Sequence, residues 1–191
     1  MAETLFIADL HIDAEHPAIM AGLVRLLEET APAAEALYIL GDLFEYWVGD
    51  DDPAEPLTPA LAALQALTQS GTPVYFQHGN RDFLIGAGFT QRTGGTLLPE
   101  PVVIDLYGTA TLIMHGDSLC TDDVAYQTMR AQFRDPQFQQ QFLAQPLPAR
   151  IAQARALRER SQAAQVDKAE DIMDVNAEAV AEVMSEHGVR R

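Results

Sequence analysis

The chain has 191 residues, 48% of them hydrophobic and 21% charged, which is the balance of one folded domain, or one core with an appendage, and excludes a wholly disordered chain. Twelve Lys and Arg stand against 28 Asp and Glu, a net charge of -16 that argues against a nucleic-acid partner, since such a partner needs a cationic surface. The single cysteine, Cys120, excludes an internal disulfide framework and fits a reducing compartment.

Residues 4–8 (TLFIA) read as a short buried strand, and Ile19, Leu23, Leu26 and Leu27 at helical spacing predict a helix over 17–30. A second strand is expected at 36–40 (ALYIL). Past Pro53, Pro56 and Pro59, the residues Leu57, Leu61, Leu64 and Leu67 mark a helix that stops near Gly71. A third strand is read at 73–77. After a glycine-rich stretch (Gly86, Gly88, Gly94, Gly95), 101–107 with 109–114 read as a hairpin around Gly108. Strand, helix, strand, helix, strand is an α/β order. From 121 the composition turns to Gln, Ala and Arg, with helices expected near 123–134, 136–144, 147–160 and 174–187. The expected organisation is a core over 1–120, a helical insertion or lid over 121–172, and a return helix over 173–191.

Four of the strands run straight into polar residues: Asp9-Leu10-His11, Gly41-Asp42, His78-Gly79-Asn80-Arg81-Asp82 and His115-Gly116-Asp117. In an α/β sheet the carboxyl ends of parallel strands share one edge, where ligands bind. Any one of these residues read alone is a turn former, a helix cap or a hydrogen-bonded core residue. Read together, Asp9, His11, Asp42, Asn80 and His115 supply carboxylate, imidazole and amide oxygen donors without thiolate. That set suits manganese, iron or zinc. Five donors exceed what one structural zinc takes and suit two ions bridged by a carboxylate, for which Asp42 is the candidate. Residues 1–60 hold 13 acidic residues and one basic residue, Arg25, a balance of -12 that a bound metal would screen if this stretch handles phosphate.

In this order the motifs resemble the calcineurin-like metallophosphoesterase superfamily, whose pattern is D-x-H, G-D, G-N-H-D/E, H-G and a final G-H-x-H. The longer strings GDLFEYWVGDD at 41–51, HGNRDFL at 78–84, MHGDSLCTDD at 114–123 and IMDVN at 172–176 are similar to the UDP-2,3-diacylglucosamine diphosphatases of lipid A biosynthesis within it. The resemblance implies a layered α/β/β/α sandwich with a helical insertion. It implies hydrolysis at the α-phosphorus of UDP-2,3-diacylglucosamine, giving UMP and 2,3-diacylglucosamine 1-phosphate, with two Mn2+ as cofactors. By position, Asp9, His11, Asp42, Asn80 and His115 would be metal ligands. Asn80 and Arg81 would act on the reacting phosphate, and Asp123, Ser161, Gln165 and Lys168 would contact substrate. Gln165 stands where Asn is expected in the family. The other readings of the same motifs are a metallophosphoesterase for another nucleotide or phosphodiester, and a metal-binding chain without turnover.

The resemblance also implies a lipid-linked substrate and a peripheral position on the cytoplasmic face of the inner membrane, with no obligate protein partner. Leu143, Leu147, Ile151 and Leu157 are candidates to line an acyl groove. Arg150, Arg155, Arg158 and Arg160 are candidates to face anionic headgroups. No run approaches the roughly 20 apolar residues of a spanning helix, and MAETLFIADLHID lacks a basic leader. The final G-H-x-H does not occur in the 191 residues. In the family it supplies a ligand to each ion, so the expectation for this polypeptide alone is weakened metal affinity and low or absent turnover.

Overall fold

The computed structural model describes residues 3–166 and 174–191. It divides into two compact units, Met1–Glu100 and Pro101–Arg191.

The first unit is a parallel α/β layer. Strands β1 (Thr4–Ile7), β2 (Ala36–Ile39), β3 (Val74–Phe76) and β4 (Thr96–Leu97) lie side by side in that order, all parallel. The links are helices α1 (Pro17–Arg25), α2 (Thr58–Gln69) and α3 (Ala87–Thr93). Sequential order with crossovers of one hand puts all three helices on the same face. Alternation along the strands then sorts the side chains. Leu37, Ile39, Val74 and Phe76 join Leu23, Leu27, Leu61, Leu64, Leu67 and Phe89 in one buried core, each contributing about 2 kcal/mol by leaving water. On the other face Phe6, Tyr38 and Tyr75 stack in register across β1, β2 and β3, with ring centroids 5.1 and 4.7 Å apart.

Two local features depart from the sequence expectation. The helix over 17–30 is α-helical only to Arg25, then widens into a π turn at Leu26–Thr30 and tightens into a 3-10 turn at Ala31–Ala33. Pro32 lacks the N–H that a continuing helix requires. The glycine-rich stretch holding Gly86, Gly88, Gly94 and Gly95 forms α3 and leads into β4. Its helix begins on a side chain far away in sequence, because Asp50 accepts the N–H groups of Gly86 and Gly88 (3.1 and 2.7 Å) and of the Trp47 indole (2.9 Å). A run of three aspartates, which usually marks only a solvated turn, here supplies a cap.

Beyond the strand ends, the polar loops are pinned. The chains after β1 and β2 continue in parallel, with Asp9 N–H donating to Gly41 O (3.2 Å), His11 N–H to Asp42 O (3.0 Å) and Ile12 N–H to Leu43 O (2.9 Å). The loops after β2 and β3 are joined by one carboxylate, Asp82, at 0% exposure. One of its oxygens accepts from Asp42 N–H (3.3 Å) and Gly79 N–H (2.9 Å), the other from Leu43 N–H (2.8 Å) and Phe44 N–H (3.4 Å).

In the second unit β5 (Val102–Leu106) and β6 (Thr109–Ile113) form an antiparallel hairpin. Tyr107 and Gly108 both take positive φ, 55° and 83°, the two-residue turn that matches strand twist. Helices α4 (Val124–Arg134), α5 (Pro136–Leu143), α6 (Leu147–Val166) and α7 (Ala177–Glu186) follow, close to the expected spans. Side chains of Asp123, Asp135 and Asn176 cap α4, α5 and α7.

Both Asp82 oxygens serve N–H donors, so an amide in the same place would turn its NH2 against two of them. Asp82→Asn is therefore expected to destabilise nearly as much as Asp82→Ala, by about 3 kcal/mol each, or a fall of roughly 10 °C in Tm for a chain of this size. Thermal unfolding by circular dichroism reads this directly, and a near-neutral Asp82→Asn would contradict it.

Candidate active site

Three of the predicted ligands meet at the carboxyl ends of β1 and β2. His11 directs Nε2 toward Asp42 Oδ2 (3.7 Å) and Asp9 Oδ1 (3.9 Å). Asp9, His11 and Asp42 all have left-handed backbones, with φ of 56°, 49° and 52°. For residues with a side chain this conformation costs about 1–2 kcal/mol each. It turns the chain sharply after each strand, and the loop-to-loop backbone bonds hold it there. Asp42 is 2% exposed, whereas the Asp9 side chain is 61% exposed, so the pair offers one oxygen set in the wall and one at the surface.

The loop after β3 joins them through Asp42. Its Oδ1 accepts the backbone N–H of Arg81 at 2.8 Å, leaving Oδ2 toward His11. Only glycine fits at 79, because a Cβ there would lie 2.0 Å from Asp42 Oδ1 and 2.3 Å from Asp42 N. Asn80, half-buried, sits between these two anchored residues. Arg81 has a largely buried side chain and pairs with Glu45 at 3.8 Å.

Asp42, Glu45 and Asp82 are all buried acids within this group. Burial first, then the neighbouring Asp42 charge, pushes Asp82 up to about 7, against the pull of its N–H bonds. The Glu45 carboxylate raises His11 above the ordinary imidazole value, with Asp42 adding to it, while desolvation and Arg81 oppose. Of these groups only Asp42, together with the exposed Asp9, turns a carboxylate oxygen toward His11 Nε2, and that carboxylate and imidazole set fits a hard or borderline divalent cation.

Sequence reasoning missed Glu45 and Asp82. Asp82 was visible inside the G-N-R-D string but was given no role. Glu45 carried no signal beyond its place in GDLFEYWVGDD, since burial of an acid is a tertiary fact.

His115, Asp123 and Ser161 belong to the second unit. His115 follows β6 and is half-buried, and Gly116 turns the chain at φ 96° into a 3-10 turn at Asp117–Leu119. Asp117, buried, accepts from Tyr126 Oη (2.6 Å) and Arg130 Nε (2.9 Å). Burial would raise its carboxyl, but the bonds to Arg130 and Tyr126 outweigh this and hold it below the usual range. Asp123 accepts Tyr126 N–H at 3.0 Å as the cap of α4. Ser161 is half-buried on α6. Gln165 lies in α6, but its side chain, like all of Lys168, falls outside the described residues. Cys120 is half-buried, and burial, then the nearby Asp charges, raises its thiol above the ordinary value.

Of the arginines expected to face headgroups, Arg150 is 2% exposed and cannot do so. Its guanidinium is an interior group, and the basic pattern on α6 is not one solvated stripe. Arg155 and Arg160 are exposed and Arg158 is half-buried. Leu143 and Leu157 are 40% and 38% exposed, and Leu147 and Ile151 are half-buried. No helix among the described residues is long and apolar enough to cross a membrane.

Comparison with known proteins identifies the family. The calcineurin-like phosphoesterase family profile matches residues 3–176. The UDP-2,3-diacylglucosamine hydrolase of Serratia proteamaculans (strain 568) is 56% identical over 187 residues, spanning 97% of this chain and 78% of that protein. Those of Stenotrophomonas maltophilia (strain K279a) and Escherichia coli O7:K1 (strain IAI39 / ExPEC) are 53% and 54% identical over 97% and 98% of this chain, and over 78% of each of those proteins. The chain belongs to the calcineurin-like phosphoesterase family, an enzyme family acting on phosphate linkages, and it is a relative of that family's UDP-2,3-diacylglucosamine hydrolases.

Proposed function

We propose that this chain hydrolyses the diphosphate of UDP-2,3-diacylglucosamine at the α-phosphorus, giving UMP and 2,3-diacylglucosamine 1-phosphate, in a site that holds two Mn2+ ions. The observation that carries the reading is the convergence of His11 Nε2 on Asp42 and Asp9 within 4 Å, beside an Arg81 loop anchored to Asp42. The relatives' names support the substrate. Asp9, His11, Asp42, Asn80 and His115 would hold the metal, with Asp42 as the shared ligand. When bound, the divalent ions supply Lewis acidity at the phosphoryl oxygens and lower the pKa of the attacking water.

The chain's own groups do the rest. Asp42, fixed by the Arg81 N–H, keeps one oxygen oriented toward the site without a search through rotamers. Arg81 presents a guanidinium to the non-bridging oxygens of the α-phosphate as charge grows there. Asn80 orients the same phosphate through its amide. Asp123, Ser161, Gln165 and Lys168 are assigned to substrate contact, with Asp123 serving also as the α4 cap. Residues 121–172 act as the lid that receives the acyl chains, with Leu143 and Leu157 the most exposed apolar side chains of the proposed groove. Arg155 and Arg160 supply the cationic surface for a peripheral position on the cytoplasmic face of the inner membrane.

Two tests follow. UMP release from UDP-2,3-diacylglucosamine, followed by a coupling phosphatase and a colorimetric phosphate assay, should require Mn2+, stop with a chelator and return on adding Mn2+ back. Hydrolysis of a generic chromogenic diester with no response to the acylated UDP-sugar would overturn the substrate assignment, and Mn2+ binding without turnover would overturn the catalytic one. Arg81→Ala should lower kcat about a hundred- to a thousandfold while leaving Mn2+ binding by calorimetry intact, whereas Asp42→Asn should lose the binding itself.

A further inference from the structure

We propose that Glu45 is a positioning residue of this site: its buried carboxylate sets the tautomer of His11, so that Nε2 is bare toward Asp9 and Asp42, and holds the Arg81 guanidinium beside them. The inference rests on the reading of His11 as a metal ligand.

Glu45 lies in the loop after β2, three residues past Asp42. It is 5% exposed, a costly place for a carboxylate that has no function there. Its backbone is locked to the residue that follows His11, because Glu45 N–H donates to Ile12 O at 3.1 Å and Ile12 pairs with Phe44 as a parallel bridge. Main-chain bonding therefore delivers the Glu45 side chain to the His11 ring. Its two oxygens face two different partners. Oε2 stands 3.4 Å from His11 Nδ1, and Oε1 stands 3.8 Å from the Arg81 guanidinium.

The chemistry follows from what a carboxylate can do. It only accepts, and Glu45 Oε2, 3.4 Å from Nδ1, stands closer to the ring than either carboxylate near Nε2 (3.7 and 3.9 Å), so the single proton of the neutral ring is placed on Nδ1. With the proton on Nδ1, the neutral ring keeps its lone pair on Nε2, the nitrogen 3.7 Å from Asp42 and 3.9 Å from Asp9. Carboxylate support on the far nitrogen also raises the basicity of a ligating histidine. An isosteric amide at 45 removes this instruction. Glutamine can present its NH2 to Nδ1, which moves the ring proton to Nε2 and blocks the lone pair. It also removes the charge opposite Arg81. A simple structural ion pair between Glu45 and Arg81 would need none of the His11 geometry.

The test uses the full chain with its histidines labelled with 15N. Long-range proton–nitrogen spectra of the metal-free protein at about pH 8.5, above the ordinary imidazole range, should show the His11 ring protonated at Nδ1, with the signal assigned by its loss in His11→Gln. Glu45→Gln should shift the ring toward Nε2 protonation and weaken Mn2+ binding by calorimetry about 10- to 100-fold. Glu45→Asp, which keeps the charge, should restore part of the binding. An Nε2-protonated His11 in the unmodified chain overturns the proposal, as does a folded Glu45→Gln that binds Mn2+ as tightly as the unmodified chain. If Glu45→Gln does not fold, the spectrum of the unmodified chain and the binding of Glu45→Asp still decide it. Absence of Mn2+ binding by the unmodified chain sinks the metal reading itself, and this proposal with it.

Discussion

Much of the first unit's chemistry depends on one buried anion that faces inward. Asp82 gathers four backbone N–H groups from the loops after β2 and β3 and makes them a single body. A parallel sheet brings strand ends to one edge, but strand ends alone leave loops free to wander. The Asp82 carboxylate removes that freedom at the cost of burying charge, which shows in its elevated pKa. The arrangement converts a general property of α/β sheets into a fixed set of donor positions.

Strain is the second consequence. Asp9, His11 and Asp42 hold left-handed backbones that residues with side chains normally avoid. Three such residues within one loop pair represent several kcal/mol that the surrounding bonds must offset. The parallel bonds from Asp9, His11 and Ile12 to Gly41, Asp42 and Leu43 do so, and they continue the β1–β2 pairing past the strands into the site. The candidate site thus sits on strand ends whose backbone bonds also hold it rigid.

A similar solution recurs in the second unit. Asp117 lies two residues past His115, as Asp82 lies two past Asn80, and both are buried. Asp82 is satisfied by backbone donors, whereas Asp117 accepts from Tyr126 and Arg130 on α4. The bonds to Arg130 and Tyr126 hold the Asp117 carboxyl below its usual range against the opposing effect of burial. Each unit therefore places a buried carboxylate two residues past a candidate ligand, bonded to loop N–H groups in the first unit and to α4 side chains in the second.

The sequence by itself determined the α/β class, four strand ends with their D-x-H, G-D, G-N and H-G residues, the hairpin at Gly108 and the family. These are legible because hydrophobic periodicity and short motifs are local. Helix α3 was hidden, since Gly86 and Gly88 suppress local helix propensity and the compensating cap, Asp50, is some 36 residues away. The burial of Arg150, the inward role of Glu45 and the four-way use of Asp82 were equally invisible. Acids and arginines read as surface residues in any local window, and only tertiary packing decides which of them leave water and which donors they meet there.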